Sequence, residues 1–317
     1  MMIASKNKTF KTATGYFDYM ADTLGYPPYH HYFESDTIMS DGLKLHLDVY
    51  EFHKKAPTVV FIPGTAIYAM CYAEMLYKLG ESGFNVVGLD PRGHGQSEGE
   101  RGDYTVPELM NDIENTINYA IGRFNKKVSL MGSSQGGILS LYMAARDERI
   151  DSVICQNFAD LTGDETTQLT RHPTLFKYLR MIIGGKAGEL ISNAMIPMSA
   201  YIDMDSIPVR YFGSIRQFIE NDPLAVKNIS VRALQSLGNT PLDKPIGLIK
   251  VPVMVFQGDQ DTIFPVSYTK NIFDKLGCKK RMIVYPKMSH ALMSENVDDI
   301  LPDIIEWLTD IYRVSKK

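Results

Sequence analysis

The feature that most constrains this chain is a rhythm of short, β-branched apolar runs that stop at turns and give way to helical stretches. Thr58–Ile62 closes on Pro63-Gly64, and Asn85–Leu89 ends at Asp90. Lys127–Met131, Ile150–Gln156, Val251–Gln257 and Arg281–Tyr285 repeat the pattern. Runs this short and this continuously apolar suit strands buried on both faces. The stretches between and after them predict helices near 72–82, 106–123, 136–146, 266–276 and 297–312. In the second, Thr105 is the capping residue, Glu108 completes a capping box, and Val106, Leu109, Met110, Ile113, Ile117 and Ile121 recur at helical spacing. Strands alternating with helices predict an α/β fold, with a mostly parallel, doubly wound sheet and helices on both faces. Ligands of such sheets bind beyond the carboxyl ends of the strands.

Two stretches depart from this rhythm. Ile38 to Phe52 alternates apolar and polar residues around Asp41-Gly42, which predicts an antiparallel hairpin. From about residue 160 to 245 the alternation stops, and helical pieces are expected near 173–184, 186–196 and 207–220. The chain therefore divides into an extension (1–35), a first part of the core (36–159), an insertion (160–245) and a second part of the core (246–317).

Charge and cysteine content narrow the function classes. Lys and Arg total 33 against 37 Asp and Glu, a net charge of −4, so no basic face is available to neutralise a nucleic-acid backbone. Cys71, Cys155 and Cys278 are widely spaced with no CxxC, so they are expected to be reduced thiols and not a metal cluster. Lys6, Lys8, Lys11 and Asp18 interrupt the first residues, so a secretory signal is not expected there. No apolar run reaches the roughly 18 residues that a transmembrane helix needs. These readings predict a soluble cytoplasmic protein.

The reactive residues lie at predicted strand ends. Gly132-Ser133-Ser134-Gln135-Gly136 fits G-x-S-x-G between a strand and a helix, with Ser134 at its centre. A serine hydroxyl needs a base, and the base needs a third group to fix its tautomer. Of seven histidines, His30, His31, His46 and His53 precede the serine, and His172 lies in the insertion. His94 and His290 lie in strand-end loops, and His290 follows the strand 281–285. Asp259 and Asp261 follow the strand 251–257, and Asp160 follows the strand 150–156. The order serine, aspartate, histidine is one that known triads use.

Together G-S-S-Q-G (132–136), D-P-R-G-H-G-Q-S (90–97), G-D-Q-D-T-I-F-P (258–265) and S-H (289–290) resemble the α/β-hydrolase-fold serine hydrolases over about 36–317. The chain is most similar to their monoacylglycerol lipase, lysophospholipase and esterase subgroup. The resemblance implies Ser134 as nucleophile, His290 as general base and Asp261 as the acid. Asp259 is the rival, with an Asx turn as its structural role, and Asp160 is a more remote one. The backbone N–H groups of Gln135 and Thr65 are implied as oxyanion donors, although Pro63 stands where the family usually has histidine. In 90–97, Gly93 and Gly95 are expected to form a tight turn, Asp90 to pair with Arg92, and His94 to be structural. The insertion resembles a helical cap, and its Leu179 and Met181 are expected in an apolar substrate pocket.

The implied activity is hydrolysis of a small-molecule or lipid carboxylic ester with an apolar acyl chain, with no cofactor and no metal. A proline-type aminopeptidase, an acyltransferase, a perhydrolase or a C–C bond hydrolase would use the same triad. A non-catalytic binding module on this fold is the reading from a different class. Serine at the elbow, where dehalogenases and epoxide hydrolases carry aspartate, sets those two aside. Residues 1–35 could serve as an arm between copies of a homo-oligomer or as a cover over the cap.

Overall fold

The computed structural model describes residues 10, 12–174 and 186–314. Its ten strands are β1 (Glu34–Ser40), β2 (Leu43–Tyr50), β3 (Thr58–Ile62), β4 (Asn85–Leu89), β5 (Val128–Ser133), β6 (Ser152–Gln156), β7 (Met195–Pro197), β8 (Asn228–Ser230), β9 (Val253–Gly258) and β10 (Lys280–Tyr285). Eight of them form one sheet in the order β1-β2-β4-β3-β5-β6-β9-β10. β1, β2 and β4 pair antiparallel, and every neighbouring pair from β4 to β10 is parallel. Asp41 and Gly42 turn the β1–β2 hairpin with φ of 48° and 82°, both in the left-handed region that such two-residue turns require.

The expected α/β fold is therefore the one observed, and the central strands match closely. β3, β4, β5, β6 and β9 are buried along their whole length, which is why they read as continuous apolar runs. β5 and β9 reach past their apolar stretches, to Ser133 and Gly258, because the ladder continues into the polar residues that begin the functional loops. Before the insertion the described residues form the α-helices α1 (Ala13–Leu24), α2 (Ala73–Glu81), α3 (Val106–Arg123) and α4 (Gln135–Arg146). α3 carries the expected capping box, with the Thr105 side chain on Glu108 N–H and the Glu108 carboxylate on Thr105 N–H.

α1 lies in the stretch read from sequence only as an extension. Thr12 caps its start, and Gly25, at φ 68°, ends it in the left-handed conformation. Tyr16, Phe17 and Met20 on one face of α1 are fully buried in the main core. At roughly 1.5–3 kcal/mol per large apolar side chain, that burial fastens residues 12–25 to the body.

The segment 160–245 runs between β6 and β9, which are neighbours in the sheet, so it is an excursion from a continuous core. Its described residues are less helical than the sequence suggests. The helix expected over 186–196 stops at Leu190, and Met195–Pro197 instead pairs with β8. Of 207–220, only Ile215–Asn221 is helical, because Pro208 and the left-handed Tyr211 and Gly213 break the preceding turns. A helix over Val231–Asn239, capped by Ser230, was not expected. Most of the helix expected over 173–184 lies outside the described residues.

The segment is tied to the loops after β3 and β4. Val226 N–H donates to the Ala66 carbonyl at 2.8 Å and Ser230 N–H to the Gly102 carbonyl at 2.9 Å. Arg232 bridges to Asp103 and Glu108. Among the described residues, no helix is long and apolar enough to cross a membrane.

Candidate active site

Ser134 stands at the corner between β5 and α4, with φ 53° and ψ −114°. A non-glycine residue held there costs on the order of 1–3 kcal/mol, so its surroundings must fix it. Ser134 N–H donates to the Gln156 carbonyl at 2.9 Å, and Ile138 N–H donates back to the Ser134 carbonyl at 3.1 Å. The flanking glycines are required by close approach of the chain. A Cβ at Gly132 would lie 2.1 Å from the Gly136 carbonyl oxygen, and one at Gly136 would lie 2.1 Å from that of Ile62. The hydroxyl of Ser134 makes no capping bond to α4, so it is not consumed as a helix cap.

His290 and Asp261 meet although 29 residues separate them. His290 Nδ1 donates to Asp261 Oδ2 at 2.8 Å, and both side chains are buried. The same oxygen accepts from Asn157 Nδ2 at 3.0 Å, and Oδ1 accepts from the N–H groups of Ile263 and Phe264, each at 2.9 Å. Burial by itself would raise the Asp261 pKa. The attraction and hydrogen bond of His290, with the two backbone donors, outweigh it and leave the pKa below the ordinary value. Asp261 is therefore a fixed anion aimed at Nδ1.

Residues that the sequence reading missed hold this pair in place. Gln156 Nε2 donates to the His290 carbonyl at 2.7 Å, and Gln156 Oε1 accepts from Met293 N–H at 3.1 Å. The Phe264 ring lies nearly parallel to the imidazole, with centroids 5.7 Å apart. Gln156-Asn157, two amides closing an otherwise apolar strand, were the available signal, because a polar pair at a buried strand end must have partners.

The alternatives take other parts. Asp259 Oδ1 accepts from Lys287 N–H at 2.6 Å and so braces the loop that carries His290. Asp160 accepts from the backbone and hydroxyl of Thr162. His94 Nδ1 donates to the Arg92 carbonyl at 2.9 Å, and burial, helped by the Arg101 charge, lowers its pKa to about 4. It is a neutral buried imidazole packed near Tyr104. The expected Asp90–Arg92 pair is not formed. Arg92 binds Asp112 through two nitrogens and also Asp41, while Asp90 accepts from Ala69 and Gln96 N–H. A fork-shaped guanidinium gains most from a carboxylate that meets it with both oxygens at once, as Asp112 does.

Thr65 and Gln135 are brought together. Thr65 Oγ1 donates to Gln135 Oε1 at 2.6 Å, and Tyr104 OH donates to the same oxygen at 3.2 Å. Among the described residues, neither main-chain N–H has an acceptor. Thr65, Ser134 and His290 line one cavity, whose other side is formed by Ile202, Ile207 and Ile215 of the segment 160–245. A second cavity also touches Thr65 and Ser134 and runs past Gln135 between Ile138, Leu161 and Leu237. Leu179 and Met181, the expected pocket residues, lie outside the described residues. A hydroxyl at a strained turn, an imidazole oriented by a buried carboxylate, and unpaired main-chain donors are a set that can activate the hydroxyl and hold an oxyanion.

Comparison with known proteins agrees with this fold. The profile of the family described as Serine aminopeptidase, S33 (Hydrolase_4) matches residues 53–297. The monoacylglycerol lipase of Mycolicibacterium smegmatis is 24% identical over 79% of this chain and 87% of its own. A non-heme haloperoxidase of Rhodococcus erythropolis is 20% identical over 85% of this chain and 97% of its own. Among solved structures, the monoacylglycerol lipase of Paleococcus ferrophilus superposes with a TM-score of 0.67 at 24% identity, covering 84% of this chain and 99% of that one.

Proposed function

The chain belongs to the Serine aminopeptidase, S33 (Hydrolase_4) family of α/β-hydrolases, and from that membership we propose that it hydrolyses carboxylic esters bearing an apolar acyl chain, through an acyl-enzyme on Ser134. The observation that carries the reading is the buried His290–Asp261 pair, whose imidazole lines the same apolar cavity as the strained Ser134. In the proposed reaction His290 Nε2 takes the proton of Ser134 Oγ as the oxygen attacks the ester carbonyl carbon. Asp261 keeps the other proton on Nδ1 and stabilises the imidazolium. Negative charge gathers on the carbonyl oxygen, towards the N–H groups of Thr65 and Gln135. The C–O bond then breaks, His290 protonates the leaving alkoxide, and the acyl group remains on Ser134. Water, deprotonated by His290, attacks the acyl-enzyme and releases the acid.

An ester is preferred to an aminoacyl substrate for an electrostatic reason. A substrate ammonium needs an unpartnered carboxylate. Glu74 and Glu295, which line the adjoining cavity, both face Arg210, whose N–H donates to Glu295 Oε2 at 2.9 Å. The monoacylglycerol lipase relative supports the same choice. The segment 160–245 acts in this reading as the cap, and its isoleucines cover the site.

The acyl preference follows from the lining. Each methylene buried against Ile138, Leu161 and Leu237 is worth about 0.8 kcal/mol. For p-nitrophenyl esters below micelle formation, kcat/KM is expected to rise about threefold or more per added methylene until the cavity is filled, reaching its optimum at medium or long chains. Fastest turnover of the acetate, or cleavage of aminoacyl amides with no ester activity, would overturn the proposal.

A further inference from the structure

Two cavities meet at Ser134, and the chemistry of ester cleavage assigns a direction to each. The leaving oxygen must reach the imidazole that protonates it, so the alcohol side of an ester belongs in the cavity that His290 lines. The cavity that touches Gln135 and Thr65 without His290 is left for the acyl chain. Along Ile67, Ile215 and Ser294, the His290 cavity adjoins a third one.

The third cavity has an unusual wall. One side is Tyr26, Pro27 and Tyr29, and the facing side is Val209, Tyr211 and Phe218 of the segment 160–245. Tyr26 and Tyr211 bring their ring centroids to 5.4 Å across it. Residues 26–29 lie before the region matched by the family, residues 53–297. The wall is also firmly placed. Phe17 of α1 packs on Tyr26 at 5.5 Å and on Tyr68 at 6.3 Å, and Tyr68 lies three residues beyond Thr65. The arm is thus built into the same loop that carries one proposed oxyanion donor.

We infer that Tyr26, Pro27 and Tyr29 form a leaving-group subsite that selects esters of bulky aromatic alcohols over esters of small polar alcohols such as glycerol. The inference rests on the proposed ester hydrolysis and names its alcohol side. Aromatic walls gain both buried area and ring–ring contact from an aromatic alcohol, and a glyceryl group offers neither. A small polar alcohol would leave the third cavity empty.

The test holds the acyl group at octanoyl and varies the alcohol among glycerol, benzyl alcohol and 2-naphthylmethanol. The full-length protein is expected to favour the naphthylmethyl ester over the glyceryl ester by about tenfold or more in kcat/KM. Tyr26→Ala combined with Tyr29→Ala, and separately Val209→Trp filling the cavity from the opposite wall, are each expected to remove most of that preference. The readout in both variants is the ratio of naphthylmethyl to glyceryl ester turnover, which is expected to fall towards one. Equal rates across the alcohols, or equal losses on all of them in the variants, would overturn the subsite while leaving ester hydrolysis standing. No turnover of any ester, with Ser134 unreactive, would instead defeat the functional reading on which the subsite rests.

Discussion

Ser134→Ala is expected to lower turnover of p-nitrophenyl butyrate by about 10⁴–10⁶-fold, the loss that removal of a triad nucleophile produces. The effect should be confined to activity. Alanine meets the same backbone penalty at φ 53° as serine, and the hydroxyl caps no helix, so the melting temperature should barely change. Steady-state kinetics and thermal unfolding on the same sample check both halves. Retention of more than about a tenth of the activity would remove Ser134 from the mechanism.

The second large effect separates two aspartates that lie two residues apart. Asp261→Asn is expected to cost about 10³–10⁴-fold in kcat. The asparagine oxygen would remain with the N–H groups of Ile263 and Phe264, which turns the amide NH₂ towards His290 Nδ1. Two donors cannot face each other, so Nδ1 would give up its proton and accept, and Nε2 would carry the proton it must instead be free to take. Asp259→Asn keeps an acceptor for Lys287 N–H, so the brace survives and the loss is expected to stay within about tenfold. Equal losses, or the larger loss at position 259, would show that the acid has been misassigned.

The contrast between these aspartates shows what was legible in the sequence. Composition and spacing placed both after the strand 251–257, and only the resemblance to a known family favoured Asp261. The contacts that distinguish them come from Ile263, Phe264, Asn157 and Lys287, on three different loops. No local pattern records which loop will fold against which. The strands were readable for the opposite reason. β3 and β4 are buried on both faces, so their own five residues each carry the whole signal.

The segment 160–245 was the hardest to read. Its strands are three residues long, and β7 owes its conformation to pairing with β8, more than thirty residues away. Local helical propensity lost to that distant partner. α1 was missed because its apolar face is aromatic, with Tyr16 and Phe17 adjacent, and because it precedes the strand–helix rhythm that organised the rest. The Asp90–Arg92 pair failed through competition. Asp112, buried in α3, offers both carboxylate oxygens to the same guanidinium.

The central claim is that Ser134 is an activated nucleophile, and covalent labelling tests it most directly. The folded protein would be incubated with a fluorophosphonate probe, digested, and the adduct located by mass spectrometry. The account predicts a single stoichiometric adduct on Ser134, absent from Ser134→Ala and slowed by a large factor in Asp261→Asn. An unlabelled protein, or an adduct on any other residue that persists in Ser134→Ala, would contradict it.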